Sequence, residues 1–175
     1  MNALSGLQKS CQFNILQDHV GLISVAHQAV LRLSSFSNMV DMKTTHTSLP
    51  FAGHTLHFVE FDPASFREQD LLWLPHYAQL QHAGRKRKTE HLAGRIAAIY
   101  ALREYGYKCV PAIGELRQPV WPAGVYGSIS HCGTTALAVV SRQPIGIDIE
   151  EIFSVQTARE LTDNIITPAE HERLA

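Results

Sequence analysis

A chain of 175 residues, 45% hydrophobic and 18% charged, with a formal net charge of −1, suits one domain or one and a half and is too apolar to be disordered. The near-zero charge excludes nucleic-acid binding by bulk electrostatics, so any basic patch is local. Three cysteines without a CxxC spacing and ten scattered histidines without an HExxH motif point to a reducing, cytoplasmic setting, away from a disulfide scaffold or a zinc knuckle.

Residues 1–41 carry few charges, no clear caps and weak periodicity. Their longest uncharged run, Val20 to Leu31, is interrupted by His27 and Gln28. It falls short of the roughly 20 apolar residues of a membrane span, so no transmembrane segment is expected. It also lacks the basic front and cleavage site of a secretory signal. Met39 and Met42 offer internal starts. Residues 1–41 therefore read as an extension, poorly ordered or upstream of the true start. A short accessory helix around Asp18 to Leu33 is the alternative.

"HTLHFVEFD", residues 54–62, alternates as a strand does. Further on, Leu92, Ile96, Ile99 and Leu102 repeat at helical spacing, and Gly106 supplies a stop. Arg95 and Arg103 are expected to lie away from that apolar stripe. "TALAVVS" (135–141) and "IGIDIE" (145–150) are strand-like runs joined by Arg142, Gln143 and Pro144, which reads as a hairpin-like connection. A helix is expected from about Val155 to Ile165. Thr167, Pro168 and Glu170 form a T-x-x-E capping box for another, which Ala175 cuts off in mid-element.

Three groups of residues could carry chemistry. Asp148 and Glu150 share one face of a strand, roughly 6.6 Å apart at Cα. Two hard carboxylates at that spacing suit a magnesium ion that completes its shell with water and phosphate oxygens, and a solvated strand face explains them as well. Arg85, Lys86, Arg87, Lys88 and Arg95 place five cations within eleven residues. Arg87, Lys88 and Arg95 can share a helix side and grip phosphate; a solvated basic face or an RNA contact is the bland reading. Ser130 and His131 are neighbours on a strand and point to opposite faces, which argues against a hydrolase triad, and no GxSxG elbow occurs. A histidine near a phosphate, helped by the serine hydroxyl or by backbone N–H groups, is the more natural role, beside a turn serine and a structural histidine. Together the three groups favour a polyphosphate ligand bound with magnesium.

"VPAIGELRQPVWPAGVYGSISHCG", then "IGIDIEE", with "KRKTEHLAGR" upstream, resembles the Sfp-type 4′-phosphopantetheinyl transferases from about Met42 onward. The resemblance implies an α+β chain with a pseudo-twofold, two-lobed fold. Residues 42–141 would form the first lobe with its coenzyme A phosphate-binding elements. Residues 142–175 would begin a second lobe carrying the acid pair. The implied reaction moves the phosphopantetheine arm of coenzyme A onto a serine of an apo carrier protein, with magnesium. By the same resemblance Asp148 and Glu150 hold the metal. Arg87, Arg95, Ser130, His131 and, more loosely, Arg117 bind coenzyme A. The family's downstream W/F-S-x-K-E-x motif does not occur after Glu150. The chain is therefore expected to be C-terminally truncated and inactive or very weak. A non-catalytic remnant that binds coenzyme A or a carrier is the second reading. The implied partners are aryl and peptidyl carrier domains of a nonribosomal peptide synthetase in siderophore synthesis, with no nucleic acid. The implied location is cytoplasmic, peripheral to the membrane through a synthetase complex.

Overall fold

The computed structural model describes residues 11–15, 19–21, 40–152, 154, 156, 157 and 160. Its strands are β1 (Cys11–Ile15), β2 (His19–Gly21), β3 (Thr44–Phe51), β4 (His54–Phe61), β5 (Ala112–Ile113), β6 (Pro119–Val120), β7 (Tyr126–Cys132), β8 (Thr135–Ser141) and β9 (Ile147–Glu151). One long helix, α1 (Arg85–Glu104), follows three short 3-10 turns between Pro63 and Leu80. The expected α+β class holds.

β3, β4, β8 and β7 form an antiparallel sheet in that order. Alternation along β4 and β8 divides their side chains between two faces. Val59, Ala136 and Ala138 pack with the α1 residues Leu92, Ala93, Ile96 and Ala97. Leu56, Phe58, Leu137 and Val139 pack instead with Ile147 and Ile149 of β9. The small residues of α1 let it approach the sheet closely. A Cβ at Gly94 would lie 2.8 Å from Ile129 Cγ2. Gly106, at φ +82°, ends the helix in a conformation that glycine adopts without strain.

The helix departs from expectation in one respect that matters for the site. Every residue from Leu92 to Leu102 is buried, including Arg95, which is only 5% exposed. The periodic stripe predicted Arg95 outward. The sheet covers one side of α1, and Val40, Met42, Phe66, Leu71, Leu74 and Leu80 belong to the same core cluster, so little of the helix is left to solvent. Arg103, about two turns beyond Arg95, is exposed as expected.

A second correction concerns β9. It does not form a hairpin with β8, because β8 is already paired with β4 on one edge and β7 on the other. β9 pairs with β1 instead, antiparallel, with Asn14 opposite Asp148 and Phe13 opposite Ile149. Its other edge is met by side chains: the N–H groups of Ile147 and Ile149 donate to the Oγ atoms of Ser128 and Ser130, both at 3.2 Å. Of the accessory-helix range, His19–Gly21 is strand, and the remainder lies outside the described residues. Gln156, Thr157 and Glu160 are helical, with Ser154 Oγ accepting the Thr157 N–H at 3.0 Å as a cap would. The capping box at Thr167 to Glu170 lies outside the described residues.

Trp121 seals the far side of β7. A Cβ on Gly127 would meet its indole ring at 2.6 to 2.7 Å. Gly127→Ala is therefore expected to displace a rigid aromatic and lower stability by about 1–3 kcal/mol, the usual cost of overpacking. A urea titration checks this, and an unchanged midpoint would show that the indole moves freely.

Candidate functional site

The basic run does not act as one patch, because helix geometry sends its members to different places. Arg85 donates to the carbonyls of Pro63, Ala64 and Phe66. Lys88 is buried and paired with Glu68, Nζ to Oε2 at 2.9 Å. Lys86 faces Glu90 at 3.9 Å. Lys88 lies on the same side of the helix as Arg95, as the sequence suggested, but its charge is taken by Glu68 and it does not line the cavity that Arg95 reaches. Arg87, His91 and Arg95, four residues apart, line one stripe and open onto a cavity of about 170 Å³. Arg117, His131 and Glu90 complete its polar lining, and Pro119 and Ile129 its apolar wall.

Arg95 is the buried cation of this cavity. Its Nη2 donates to the Ala112 carbonyl at 3.2 Å, and its buried Nε has no partner. Burial lowers its pKa to about 10, so it stays charged at neutral pH. A buried donor without a partner is costly to the fold. His91 beside it is kept neutral. Burial first, then the charges of Arg95, His76 and Arg87, lower its pKa to about 3. Its Nε2 lies 2.8 Å from His76 Nε2. His131 is exposed at the cavity mouth, with Nδ1 3.9 Å from Glu90 Oε1.

Arg117 reaches the cavity from the β5–β6 hairpin. Its N–H donates to the Gly114 carbonyl at 2.9 Å, and the Gly114 N–H donates to the Gln118 carbonyl at 2.8 Å. Arg117 sits in this turn at φ +64°.

Ser130 and His131 separate, as strand alternation demands. His131 lines the cavity on the α1 side of β7. Ser130 faces β9, where its hydroxyl donates to Asp148 Oδ1 at 2.6 Å. Asp148 and Glu150 are both exposed on β9, each following a buried isoleucine, Ile147 and Ile149. Two exposed carboxylates at alternate positions are hard oxygen donors of the kind magnesium accepts when phosphate and water supply the rest. The donor set therefore fits such an ion. No group of three or more His, Cys, Asp or Glu that could hold a metal occurs among the described residues. β7 is an edge strand of its sheet, so the cation-lined cavity and the acid pair lie on the two sides of one exposed edge.

Sequence reasoning missed Glu90 and His91 as members of the site. The spacing 87, 90, 91, 94, 95 along one helix held the signal, but it was masked by the stronger charge run. No described helix is long and apolar enough to cross a membrane.

Residues 76–141 match the 4′-phosphopantetheinyl transferase N-terminal domain, a stretch that contains Arg87, Arg95, Arg117, Ser130 and His131 and stops short of Asp148 and Glu150. The chain is 97% identical over 134 residues to enterobactin synthase component D of Escherichia coli (strain K12), covering 77% of this chain and 65% of that protein. It is 65% identical over 133 residues to enterobactin synthase component D of Salmonella typhimurium, covering 76% and 57%. Over 70 residues it is 37% identical to the 4′-phosphopantetheinyl transferase PptT of Mycobacterium tuberculosis, covering 37% and 31%. The chain thus spans 65% of the length of the first of these relatives and less of the other two.

Proposed function

We propose that, over the residues it shares with these relatives, this chain is a member of the 4′-phosphopantetheinyl transferase family, that it binds coenzyme A through its phosphates, and that it supports transfer of the phosphopantetheine arm to a carrier-protein serine. The observation that carries this reading is the convergence of three arginines, Arg87, Arg95 and Arg117, with His131 on one cavity. At about 170 Å³ the cavity has room for about six waters of roughly 30 Å³ each. That suits one phosphate group rather than a whole nucleotide. The guanidinium groups of Arg87 and Arg95 grip its oxygens, and Arg117 and His131 close over it from the mouth. His91, neutral, packs beside Arg95 without adding a further charge.

The rest of the ligand crosses the edge of β7 toward β9. Asp148 and Glu150 would hold magnesium there. When bound, the ion neutralises charge on the diphosphate as the P–O bond breaks. The arginines keep the departing adenosine 3′,5′-bisphosphate in place, so the acceptor serine meets a fixed phosphorus. The acceptors that fit the relatives' names are apo aryl and peptidyl carrier domains of siderophore synthesis, met in the cytoplasm or at a membrane-associated synthetase complex.

The test is intact-mass spectrometry of an apo aryl carrier domain incubated with this chain, coenzyme A and magnesium. A phosphopantetheine mass gain that Asp148→Ala reduces at least about 100-fold, the scale of losing charge stabilisation at a reacting group, would support transfer by this chain, against the sequence expectation of a very weak gain at most. No gain, with a control transferase active on the same carrier, overturns transfer by this chain. A non-catalytic, coenzyme A-binding role is the second reading. It is favoured by the acid-pair face of β9, which carries two carboxylates, Glu151 falling on the opposite face by strand alternation. Coenzyme A binding without transfer would select it.

A further inference from the structure

Ser130 carries an inference that the resemblance does not. A serine hydroxyl has one proton and two lone pairs. Here the proton goes to Asp148 Oδ1 at 2.6 Å, a short contact typical of a charged acceptor. One lone pair accepts the Ile149 N–H at 3.2 Å. Only a lone pair remains, and a phosphate oxygen cannot bond to it. The hydroxyl also lies on the β9 side of β7, away from the cavity lined by His131. We propose that Ser130 is a positioning residue that orients the Asp148 carboxylate toward the metal, and that it does not bind phosphate. This rests on the reading of Asp148 as a metal ligand.

The molecule contains its own control. Ser128, two residues earlier on the same face of β7, accepts the Ile147 N–H at 3.2 Å and donates back to the Ile147 carbonyl at 3.4 Å. Both serines fasten β9 to β7 by the same backbone contact. Ser130 alone also reaches a carboxylate. It occupies one oxygen of Asp148 and leaves the other for an ion, the usual work of an outer-shell partner.

The experiment compares the wild-type chain with Ser130→Ala, Ser128→Ala and Ser130→Thr. In metal-free protein, NMR couplings and the carboxyl carbon shift of Asp148 report its side-chain conformation. A single conformer is expected in the wild type, in Ser128→Ala and in Ser130→Thr, and an average in Ser130→Ala. Manganese affinity in the presence of coenzyme A is expected to fall at least tenfold in Ser130→Ala and less than twofold in Ser128→Ala. Metal-free affinity for adenosine 3′,5′-bisphosphate is expected to stay unchanged throughout. Three results would overturn the proposal: an ordered Asp148 in Ser130→Ala, equal effects of the two alanine variants, or a tenfold loss of bisphosphate affinity in Ser130→Ala. A wild-type chain that binds no divalent cation overturns the metal reading itself. The two failures are told apart because the conformer measurement needs no metal.

Discussion

Arg95→Met is expected to weaken binding of adenosine 3′,5′-bisphosphate by about 10- to 100-fold while leaving the melting temperature unchanged or higher. The two halves of this expectation have different causes. Hydrogen bonds to charged groups contribute about 1.5–3 kcal/mol each, which sets the loss of affinity. Arg95 is 5% exposed and carries its charge into the core with one bond to the Ala112 carbonyl and a partnerless Nε. Replacing such a buried cation by an apolar side chain of similar length removes a desolvation cost. Ala112 is exposed, so water can take over its carbonyl. Calorimetric titration and a thermal melt on the same sample check both halves. Retained affinity would place the phosphate elsewhere, and a large fall in melting temperature would make Arg95 a structural residue first.

Acid is expected to destabilise the protein strongly between pH 6.5 and pH 4. Burial lowers the pKa of His57 to about 4. Burial and the neighbouring His57 lower His46 to about 4 as well. The two rings share an Nε2–Nδ1 contact of 3.0 Å, and His46 stacks on Tyr100 at 3.6 Å. In the unfolded chain these histidines take up protons near pH 6.5; in the folded chain they resist until about pH 4. The unfolded state therefore binds more protons across this window, and stability falls as pH falls through it. His57 alone accounts for about 3 kcal/mol by pH 4. His91, lowered to about 3, acts in the same direction. Urea midpoints at pH 7.5, 6 and 5 should fall in that order. A flat profile over this range would show that the histidine pairs admit protons without strain.

Much of the scaffold was legible in the sequence because it is periodic. β4, β8 and α1 appear where alternation and helical spacing place them, and the two-residue spacing of Asp148 and Glu150 puts both on one exposed face. What escaped were facts that need a second element to exist. Arg95 looks like an outward residue until the segments around Met42 and Leu74 close over the helix. β9 looks like a partner for β8 until β4 and β7 take both edges. Lys88 looks like a ligand cation until Glu68, twenty residues upstream, is found beside it. Local pattern predicts which face a residue takes; it cannot say what will cover that face.

The β5–β6 hairpin carries a last consequence. Arg117 stands at φ +64°, where a three-residue loop ordinarily places glycine, and a side chain there costs roughly 1–2 kcal/mol. Selection for stability alone would push this position toward glycine. Selection for anion capture would push it back toward a cation. If Arg117 holds phosphate as proposed, drift at this one codon would reveal which pressure dominates in a lineage: a glycine would mark a descendant that has kept the fold and given up that contact.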